Sequence, residues 1–403
     1  MNTAAFLARH GLTLDAIDCE ACLAHLTDEM ENGLRGEGNI PMLPSYLSTA
    51  LRPTPGAACC VLDAGGTNLR AAAAVFDENG QCHLSHLSAV PMPGTEGELS
   101  SGEFFRRLAD ITAGLPHRAR IGFCFSYNVL LDRTLDGVLE AWCKEVRVPE
   151  ALGMPVGASL RHAVGDSCHR INVLNDSVAA LLGAASEDHD VRLGLILGTG
   201  INICYEESCA NIPKVPRDLL SHSIIISTEI GEFRGIPKST FDRELIAASD
   251  DPALAHAEKQ CAGGYLGELI SLAWQTAAEE GVISSGFYDK TFSLPEISNY
   301  LAGEETSIPS DENAKAIARA MVARSAKIAA ILTAGAVLRC TNQGEDIAIA
   351  VEGSQFTKLT GFGNAFLSEL SALLSPRQIT TRVVQVESGC LKGAALAAFA
   401  EPM

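Results

Sequence analysis

The chain has 403 residues, of which 47% are hydrophobic and 20% charged, and its 49 acidic residues outnumber 30 basic ones. This length exceeds one ordinary hydrophobic core, so we expect two subdomains with a cleft between them. The net charge of −19 disfavours nucleic acid and anionic membrane as partners, because binding either would need a basic patch that the sequence does not show. Residues 1–12 lack the apolar core of a signal peptide, and no apolar stretch approaches the ~20 residues that span a bilayer. The expected location is the cytoplasm.

The thirteen cysteines are scattered through apolar segments. Cys19 and Cys22 form a single CxxC pair, without a second pair at the spacing of a metal site. Cys59 and Cys60 are adjacent in an apolar run that predicts a strand, where neighbouring side chains point to opposite faces. We therefore interpret the cysteines as reduced thiols of the core, and not as a zinc or redox site.

The elements alternate between helix and strand. Residues 1–50 predict one long amphipathic helix followed by a loop, because Ile17, Leu23, Leu26, Met30 and Leu34 recur at helical spacing. Strands are expected at 57–62, 69–76, 120–125, 171–174, 193–197, 201–205, 224–226 and 347–351. Helices are expected at 177–185, 245–280, 314–338 and 393–400.

Two blocks share the pattern strand, Gly-Thr turn, strand. The first turn lies at 63–68 and contains Gly65, Gly66 and Thr67; the second is Gly198-Thr199-Gly200. A strand follows each turn, whereas a helix follows the turn of a dinucleotide-binding motif or a P-loop. Because glycine lets backbone N–H groups approach an anion closely, each turn is either a phosphate-binding hairpin or a plain hairpin. The repetition indicates two related α/β halves.

Acidic residues near strand ends are the other candidates. Asp176, with Asn175, follows a strand, which fits a catalytic base or a helix N-cap. Asp63 fits a ligand of Mg²⁺, directly or through water. Glu229 and Glu258, taken by themselves, are ordinary surface carboxylates.

Taken in order, these motifs resemble the hexokinase family along nearly the whole chain. The resemblance is carried by eight motifs. They are an opening helix and loop (30–34 with 42–46), a first phosphate loop (62–70), a sugar-binding stretch in two parts (122–126 with 142–144), a segment with the catalytic aspartate (173–182), a second phosphate loop (195–205), two glutamate segments (227–231 with 258–269), an adenosine motif (351–354) and a closing helix (392–395).

The resemblance implies an α/β, two-domain actin-like (ribonuclease H-like) ATPase fold with a central cleft. The small domain would comprise 57–174 plus 388–403 and carry the first phosphate loop and part of the sugar site. The large domain would comprise 1–56 plus 175–387 and carry the catalytic aspartate, the second phosphate loop and the adenosine pocket. The implied activity is ATP-dependent phosphorylation of glucose, and of related hexoses such as mannose or fructose, at the 6-hydroxyl, the first step of glycolysis.

The resemblance also implies a role for each matching residue. Asp176 would be the catalytic base. The implied sugar ligands are Ser126, Cys143, Lys144, Asn175, Asp176, Asn202, Glu229 and Glu258. The implied ATP ligands are Asp63, Gly65, Gly66, Thr67, Asn68, Arg70, Thr199, Gly353 and Ser354, with the amides of Gly65, Gly66, Thr67 and Thr199 on the phosphates. Asp63 and Asp176 would hold Mg²⁺ through water.

Several positions depart from the family pattern, and they concern the preferred sugar and the nucleotide affinity more than the reaction. Cys143 replaces a threonine, Asn128 a proline, Ile230 a tryptophan and Glu232 a small residue, and Cys390-Leu391 stand where Ser-Gly is typical.

Three alternatives stay open: a non-catalytic sugar sensor, a kinase for another sugar such as an N-acetylhexosamine, and an actin-like ATPase without a sugar. The set of sugar ligands argues against the last, and the Cys-x-Cys-Gly motif of repressor-type sugar kinases is absent. The expected partner is a hexose, and the expected assembly is a monomer or homodimer.

Overall fold

The computed structural model describes residues 2–142, 146–187 and 190–403. The helices of the described part are α1 Thr3–Arg9, α2 Cys19–Arg35, α3 Ser101–Asp110, α4 Val156–Val164, α5 Asp176–Ala185, α6 Thr240–Ala248, α7 His256–Cys261, α8 Gly263–Glu279, α9 Leu294–Ala302, α10 Glu312–Cys340, α11 Ser354–Lys358, α12 Phe362–Leu374 and α13 Gly389–Ala397. Its strands are β1 Leu43–Pro44, β2 Ala58–Ala64, β3 Asn68–Phe76, β4 Cys82–Pro91, β5 Arg120–Phe125, β6 Asn128–Leu131, β7 Gly137–Ala141, β8 Arg170–Leu174, β9 Val191–Leu197, β10 Ile201–Ser208, β11 Ser223–Ser227, β12 Asp346–Glu352 and β13 Thr380–Val384.

The first sheet has the strand order β4-β3-β2-β5-β8. Strands β4, β3 and β2 form an antiparallel meander, and β2, β5 and β8 run parallel. Cys60 and Leu62 face a core shared with α3 and α4, whereas Cys59 and Val61 face a core shared with α5 and α13. The alternation predicted for Cys59 and Cys60 is confirmed, and each thiol is buried in a different core.

The second sheet repeats this plan. Its order is β1-β11-β10-β9-β12-β13, with β11, β10 and β9 antiparallel and β9, β12 and β13 parallel. Apart from the short β1, the order and the directions are those of the first sheet. The Gly-Thr turns at 65–67 and 198–200 join corresponding hairpins, so the expected pair of related α/β halves is confirmed.

Helices α5 and α13 cross between the two sheets, and their backbones lie unusually close to each other at the crossing. A Cβ atom placed on Gly183 would lie 2.2 Å from the carbonyl oxygen of Gly389, and one on Gly393 would lie 1.9 Å from that of Ala179. Helix α13 also presses on β5, where a Cβ on Gly122 would lie 1.8 Å from the carbonyl oxygen of Ala394. The backbones can approach this closely because these glycines carry no side chain.

Two helical expectations are wrong in detail. The single long N-terminal helix is divided into α1 and α2, because Gly11 has a φ of +69° and Asp18 caps a new helix by accepting from the N–H of Ala21. The helical region expected at 245–280 is three helices, α6, α7 and α8. A loop containing Pro252 separates α6 from α7, and Ala262, in an extended conformation, separates α7 from α8.

Helix α10 also differs from expectation. In length and composition this one helix of the described residues meets the criteria for a membrane span, although the sequence suggested no such stretch. Within its most apolar window, 83% of the residues are buried inside the protein. Ala329, Ile331 and Val337 are among the fully buried residues of the core that α10 shares with α2, α8 and α12.

The cysteines of the described residues match their interpretation as core thiols. All twelve are free, and nine of them are buried. No group of three or more His, Cys, Asp or Glu side chains in this part of the chain has the geometry of a metal site. Cys19, the first residue of α2, is only partly buried.

Candidate active site

The carboxyl ends of three parallel strands bring several of the predicted residues to one edge of the first sheet. Asp63 near the end of β2 is in register with Cys124 of β5, and Cys124 is in register with Leu174 of β8. Ser126 follows β5 directly, and Asn175 and Asp176 follow β8. The topology therefore gathers these four polar residues although they come from distant parts of the sequence.

The sequence left open whether Asp176 serves as a catalytic base or as a helix N-cap, and in the structure the N-cap is its neighbour Asn175. Asn175 is the N-cap of α5, because its Oδ1 accepts hydrogen bonds from the N–H of Ser177 at 2.9 Å and from the hydroxyl of Ser177 at 2.7 Å. These bonds use Oδ1, so Nδ2 is the atom of Asn175 that can donate to a ligand. Asp176 is the first residue of the helix and half-buried. Its Oδ1 also accepts from the N–H of Ser177 at 2.9 Å, but the same N–H and the Ser177 hydroxyl bond to Asn175, so the helix has a cap without the Asp176 carboxylate.

The side chain of Asn202 connects residues from three strands. Its Nδ2 donates to Oε1 of Glu229 at 2.7 Å and to Oγ of Ser227 at 3.0 Å, and lies 3.5 Å from Oδ1 of Asn175. Its Oδ1 accepts from the N–H groups of Ile203 and Glu229 at 2.8 and 3.0 Å. Asn202 is thus fixed in orientation within a polar network.

Glu229 belongs to the same network, and its interpretation as an ordinary surface carboxylate is wrong. It adopts a φ of +55° two residues after the end of β11, and Ser227 Oγ donates to its Oε1 at 2.8 Å. Burial raises the pKa of Glu229, and the nearby negative charges of Asp176 and Glu232 add to this effect, while the hydrogen bonds from Ser227 and Asn202 oppose it. A carboxylate held in this way is suited to accept hydrogen bonds from a polar ligand.

Glu258 approaches the network from α7. Its Oε2 accepts from the N–H of Ile201 at 3.0 Å. The second Gly-Thr turn lies beside it, because a Cβ on Gly200 would come within 2.4 Å of Oε2. Asn202, Glu229 and Glu258 therefore surround the beginning of β10, as the predicted sugar site requires.

Ser227 was not predicted as a site residue, although its hydroxyl contacts both Asn202 and Glu229. The available signal was its place at the end of the strand expected at 224–226, two residues before Glu229. A cavity lined by residues of both halves adjoins it, with Ser227, Asn175, Glu229, Phe125 and Ser45 among the lining side chains.

The two Gly-Thr turns are both tight hairpins. The N–H of Gly65 donates to the carbonyl of Asn68, and the N–H of Gly198 donates to the carbonyl of Gly200, each at 3.0 Å. In this conformation the hairpin uses the N–H of Gly65, so the predicted contact of this amide with a phosphate stays a prediction. The phosphate contacts of Gly66, Thr67, Asn68 and Thr199 stay predictions.

The adenosine motif lies against the second turn. Gly353 has a φ of +119°, and a Cβ on it would lie only 2.1 Å from the carbonyl oxygen of Leu197. Only glycine fits at this position, and Ser354 begins α11 immediately after it. The fold thus places the predicted adenosine residues Gly353 and Ser354 next to Gly198.

Charged side chains cluster near the first turn. Arg70 forms an ion pair with the buried Asp63, with Nε donating to Oδ2 at 2.8 Å. Asp63 and Arg70, predicted to act separately on Mg²⁺ and phosphate, therefore bind each other here. Burial raises the pKa of the unpredicted Glu352, the charges of Asp63 and Asp176 raise it further, and Arg70 opposes the shift. This concentration of carboxylates suits a cation that arrives together with phosphate groups.

The donors near this turn fit Mg²⁺ only in part on their own. Mg²⁺ prefers oxygen ligands and is usually bound by one or two carboxylates together with water and substrate phosphates. Asp63 and Asp176 supply such carboxylates, and no larger set of metal-binding side chains exists among the described residues. The residues therefore fit Mg²⁺ bound with a nucleotide, and not a resident metal.

Two predicted sugar ligands, Cys143 and Lys144, lie outside the described residues. Trp142 precedes them, and its Nε1 donates to the carbonyl of Val148 at 2.7 Å. Its ring packs edge-on against Phe125 and Tyr127, which flank the buried Ser126.

Comparison with known proteins connects both halves of the chain with one family. Two family models, each described as hexokinase, match residues 8–186 and 192–400. Hexokinase-7 of Oryza sativa is 29% identical over 94% of this chain and 92% of its own length. Chloroplastic hexokinase-2 of Nicotiana tabacum is 31% identical over 66% of this chain, and the match spans 58% of that protein.

Solved structures show the same fold. A hexokinase from Schistosoma mansoni complexed with glucose superposes with a TM-score of 0.82 at 21% identity, covering 99% of this chain and 100% of that one. A ROK family glucokinase from Streptomyces griseus in complex with glucose and AMPPNP superposes with a TM-score of 0.53 at 18% identity, covering 84% and 98%. The two-sheet architecture is that of the actin-like ATPase fold, as expected.

Proposed function

The chain belongs to the hexokinase family, and on that premise we propose that it transfers the γ-phosphoryl group of ATP to the 6-hydroxyl of glucose or a closely related hexose. The observation that carries the proposal is the polar network of Asn175, Asn202, Ser227 and Glu229 beside Asp176. An ATPase without a sugar substrate has no use for this network. The Schistosoma mansoni hexokinase complexed with glucose supports the same substrate.

The network has the chemistry that a hexose requires. Each sugar hydroxyl needs a partner, because a buried polar group without one costs about 1–3 kcal/mol. Glu229 and Glu258 supply carboxylate oxygens that accept from hydroxyl groups and Nδ2 of Asn175 can donate, while Asn202 holds Glu229 in place. The partners Ser227 and Ile201 already fix the two carboxylates, so little side-chain entropy is lost when the sugar binds.

The chemical step requires a base close to the attacking hydroxyl. We assign this role to Asp176, which would accept the proton of the 6-hydroxyl as that oxygen attacks the γ-phosphorus of ATP. The amides of Gly66, Thr67 and Thr199 would orient the phosphates, because positioning and electrostatic stabilisation contribute most of the rate in phosphoryl transfer. Mg²⁺ enters as part of the MgATP substrate and neutralises charge on its phosphates, with Asp63 and Asp176 as the carboxylates within reach.

A coupled ADP-release assay tests the proposal. MgATP would be supplied with glucose, mannose, fructose, N-acetylglucosamine or no sugar, and calorimetry would measure the binding of each sugar. We expect ADP release with glucose at least ten times faster than without sugar. Equal release without sugar would identify an ATPase, and glucose binding without ADP release would identify a sensor. A preference for N-acetylglucosamine would assign the site to a different sugar kinase.

A further inference from the structure

Glu232 lies next to the proposed sugar site but belongs to none of its predicted ligands. It ends the short 3₁₀ turn Ile230–Glu232, which follows Glu229 directly. This turn packs on α7, because a Cβ on Gly231 would lie 3.0 Å from Cβ of Glu258. The two glutamates of the site therefore sit on segments that are in direct contact.

The carboxylate of Glu232 accepts a hydrogen bond from the residue immediately before α7. Its Oε2 accepts from the N–H of Ala255 at 2.9 Å. Ala255 is the N-cap residue of α7 and has a φ of +54°, but its side chain makes no capping hydrogen bond. Glu258 follows three residues later, less than one helical turn away. A shift of Ala255 would therefore move the start of the helix that carries Glu258.

Two cationic side chains complete the attachment of the loop before α7. The fully buried Nζ of Lys259 donates to the carbonyl and carboxylate oxygens of Asp251 at 2.7 and 2.5 Å, and to the carbonyl of Leu254 at 3.0 Å. Arg234, two residues after Glu232, donates to the carbonyl of Ala253 at 2.7 Å. Of these contacts, the one between Glu232 and Ala255 connects the turn that follows Glu229 directly to the N-cap of the helix that carries Glu258.

We propose that Glu232 is a positioning residue that sets the distance between Glu229 and Glu258 by holding the start of α7. Its backbone continues the turn of one glutamate, and its side chain anchors the helix of the other. The consequence for a sugar rests on the proposed function, because it requires that Glu229 and Glu258 bind the same ligand. The anchoring itself does not, and it can be measured without any substrate.

Two substitutions separate positioning from charge. Glu232→Ala removes the acceptor of the Ala255 N–H, whereas Glu232→Gln keeps a side-chain oxygen at the same place without the charge. If the free energy of the hydrogen bond between Glu232 and Ala255 is lost in full from sugar binding, the affinity for glucose falls by about three- to tenfold. We expect Glu232→Ala to raise the Kd and KM for glucose by this factor, with the KM for ATP within twofold of wild type. Glu232→Gln should stay within twofold for both substrates.

Hydrogen–deuterium exchange of the free protein tests the anchoring directly. We expect faster exchange in peptides covering 253–262 in Glu232→Ala but not in Glu232→Gln. Glu244→Ala is the matched control, because Glu244 is an exposed glutamate on the neighbouring α6. A wild-type protein that binds no sugar would refute the proposed function, and the exchange of 253–262 would still decide the role of Glu232.

Two results would overturn the positioning role. The first is unchanged exchange at 253–262 in Glu232→Ala together with a glucose Kd within twofold of wild type. The second is an equal loss of glucose affinity in Glu232→Ala and Glu232→Gln, because this would mean that the charge of Glu232, and not its bond to Ala255, acts on the site. A purely structural role would lower the melting temperature of Glu232→Ala without changing KM.

Discussion

Among the single residues of the site, those at the ends of strands carry both structure and chemistry. Asn175 caps α5 through Oδ1 and keeps its amide nitrogen for a ligand, while the adjacent Asp176 only shares the N–H of Ser177 with it. Asn202 uses both ends of its amide group, one on backbone N–H groups and the other on Glu229 and Ser227. Asn175 is thus held by one atom and can act through another, whereas Asn202 acts by fixing Glu229.

This division predicts the behaviour of Asp176→Ala. We expect kcat to fall at least 10²-fold, the usual scale for a positioned base. Because Asn175 remains as the N-cap, the free energy of unfolding should change by no more than about 1 kcal/mol. Glucose binding should stay largely intact, and steady-state kinetics, chemical unfolding and glucose calorimetry would measure the three quantities. Asp166→Ala, at an exposed position, is the control; a kcat for Asp176→Ala within threefold of wild type would remove Asp176 from the role of base.

The buried carboxylate of Glu229 should make the stability of the folded protein depend on pH. Burial, followed by the charges of Asp176 and Glu232, raises its pKa above the ordinary value, so the folded chain binds this proton more tightly than the unfolded chain. Its contribution to stability is present below the ordinary pKa and is lost as the pH rises through the raised one. Glu229→Gln should therefore melt at a higher temperature than wild type at pH 7, and at nearly the same temperature at pH 4.

The same variant should bind glucose more weakly. A hydrogen bond to a charged group contributes about 1.5–3 kcal/mol, so the loss of the charge should weaken binding by about tenfold or more. Thermal melts between pH 4 and 8 and glucose calorimetry would measure both effects, with Glu244→Gln as the surface control. If Glu229→Gln were less stable than wild type at pH 7, this result would contradict the inference that the buried charge of Glu229 destabilises the folded protein.

At the level of elements, the crossing of α5 and α13 connects the two halves. Asp176 begins α5, and Gly393 of α13 meets the backbone of the same helix at Ala179. The contact is between backbones, so it cannot be relieved by rotating a side chain. The direction of α5, and with it the position of the proposed base, therefore depends on how closely α13 approaches.

Gly393→Ala tests this dependence. Its Cβ would lie 1.9 Å from the carbonyl oxygen of Ala179, so the helices must separate. We expect a loss of about 1–3 kcal/mol in the free energy of unfolding and a lower kcat. Gly102→Ala is the matched control, because Gly102 lies in α3 with no atom within 4 Å of the added methyl group. Equal stability and kcat in the two variants would show that the crossing tolerates a wider spacing.

Both Gly-Thr hairpins and their strands, and the later strands at 224–226 and 347–351, could be predicted from the sequence, because apolar runs bounded by turns are local signals. The sequence could not predict that Gly65 donates to Asn68, since a glycine turn has the same composition whether its amides face a ligand or close the hairpin. Nor could it predict the roles of Ser227 and Glu352, which arise from contacts between distant segments. The surface interpretation of Glu229 failed for the same reason.

For the whole molecule, the cleft between two similar halves predicts closure around the sugar. A compact chain of this length has a radius of gyration of about 21 Å. We expect the free protein to exceed this value and glucose to reduce the radius, because closure excludes water that would otherwise accept the phosphoryl group. Small-angle scattering with D-glucose, and with L-glucose as control, measures the change. An unchanged radius at saturating D-glucose would contradict closure.

The domain boundaries at 56/57, 174/175 and 387/388, the assembly as a monomer or homodimer and the cytoplasmic location stay predictions. The sheets nevertheless respect the proposed division, since β2–β5 and β8 fall in one part and β1 and β9–β13 in the other. Helix α13 is shared, because it packs on β2 and β5 of the first sheet and crosses α5.

The place of α13 in the chain has a consequence for biosynthesis. The ribosome makes β2 and β5 well before α13, which follows the other helices and strands of the described residues, yet Gly122 of β5 is fully packed only when Ala394 arrives. Until then, α5 covers only part of this apolar face of the first sheet, and long-range contacts of this kind form slowly. A nascent chain paused before α13 should therefore expose the surface that chaperones bind and that drives aggregation.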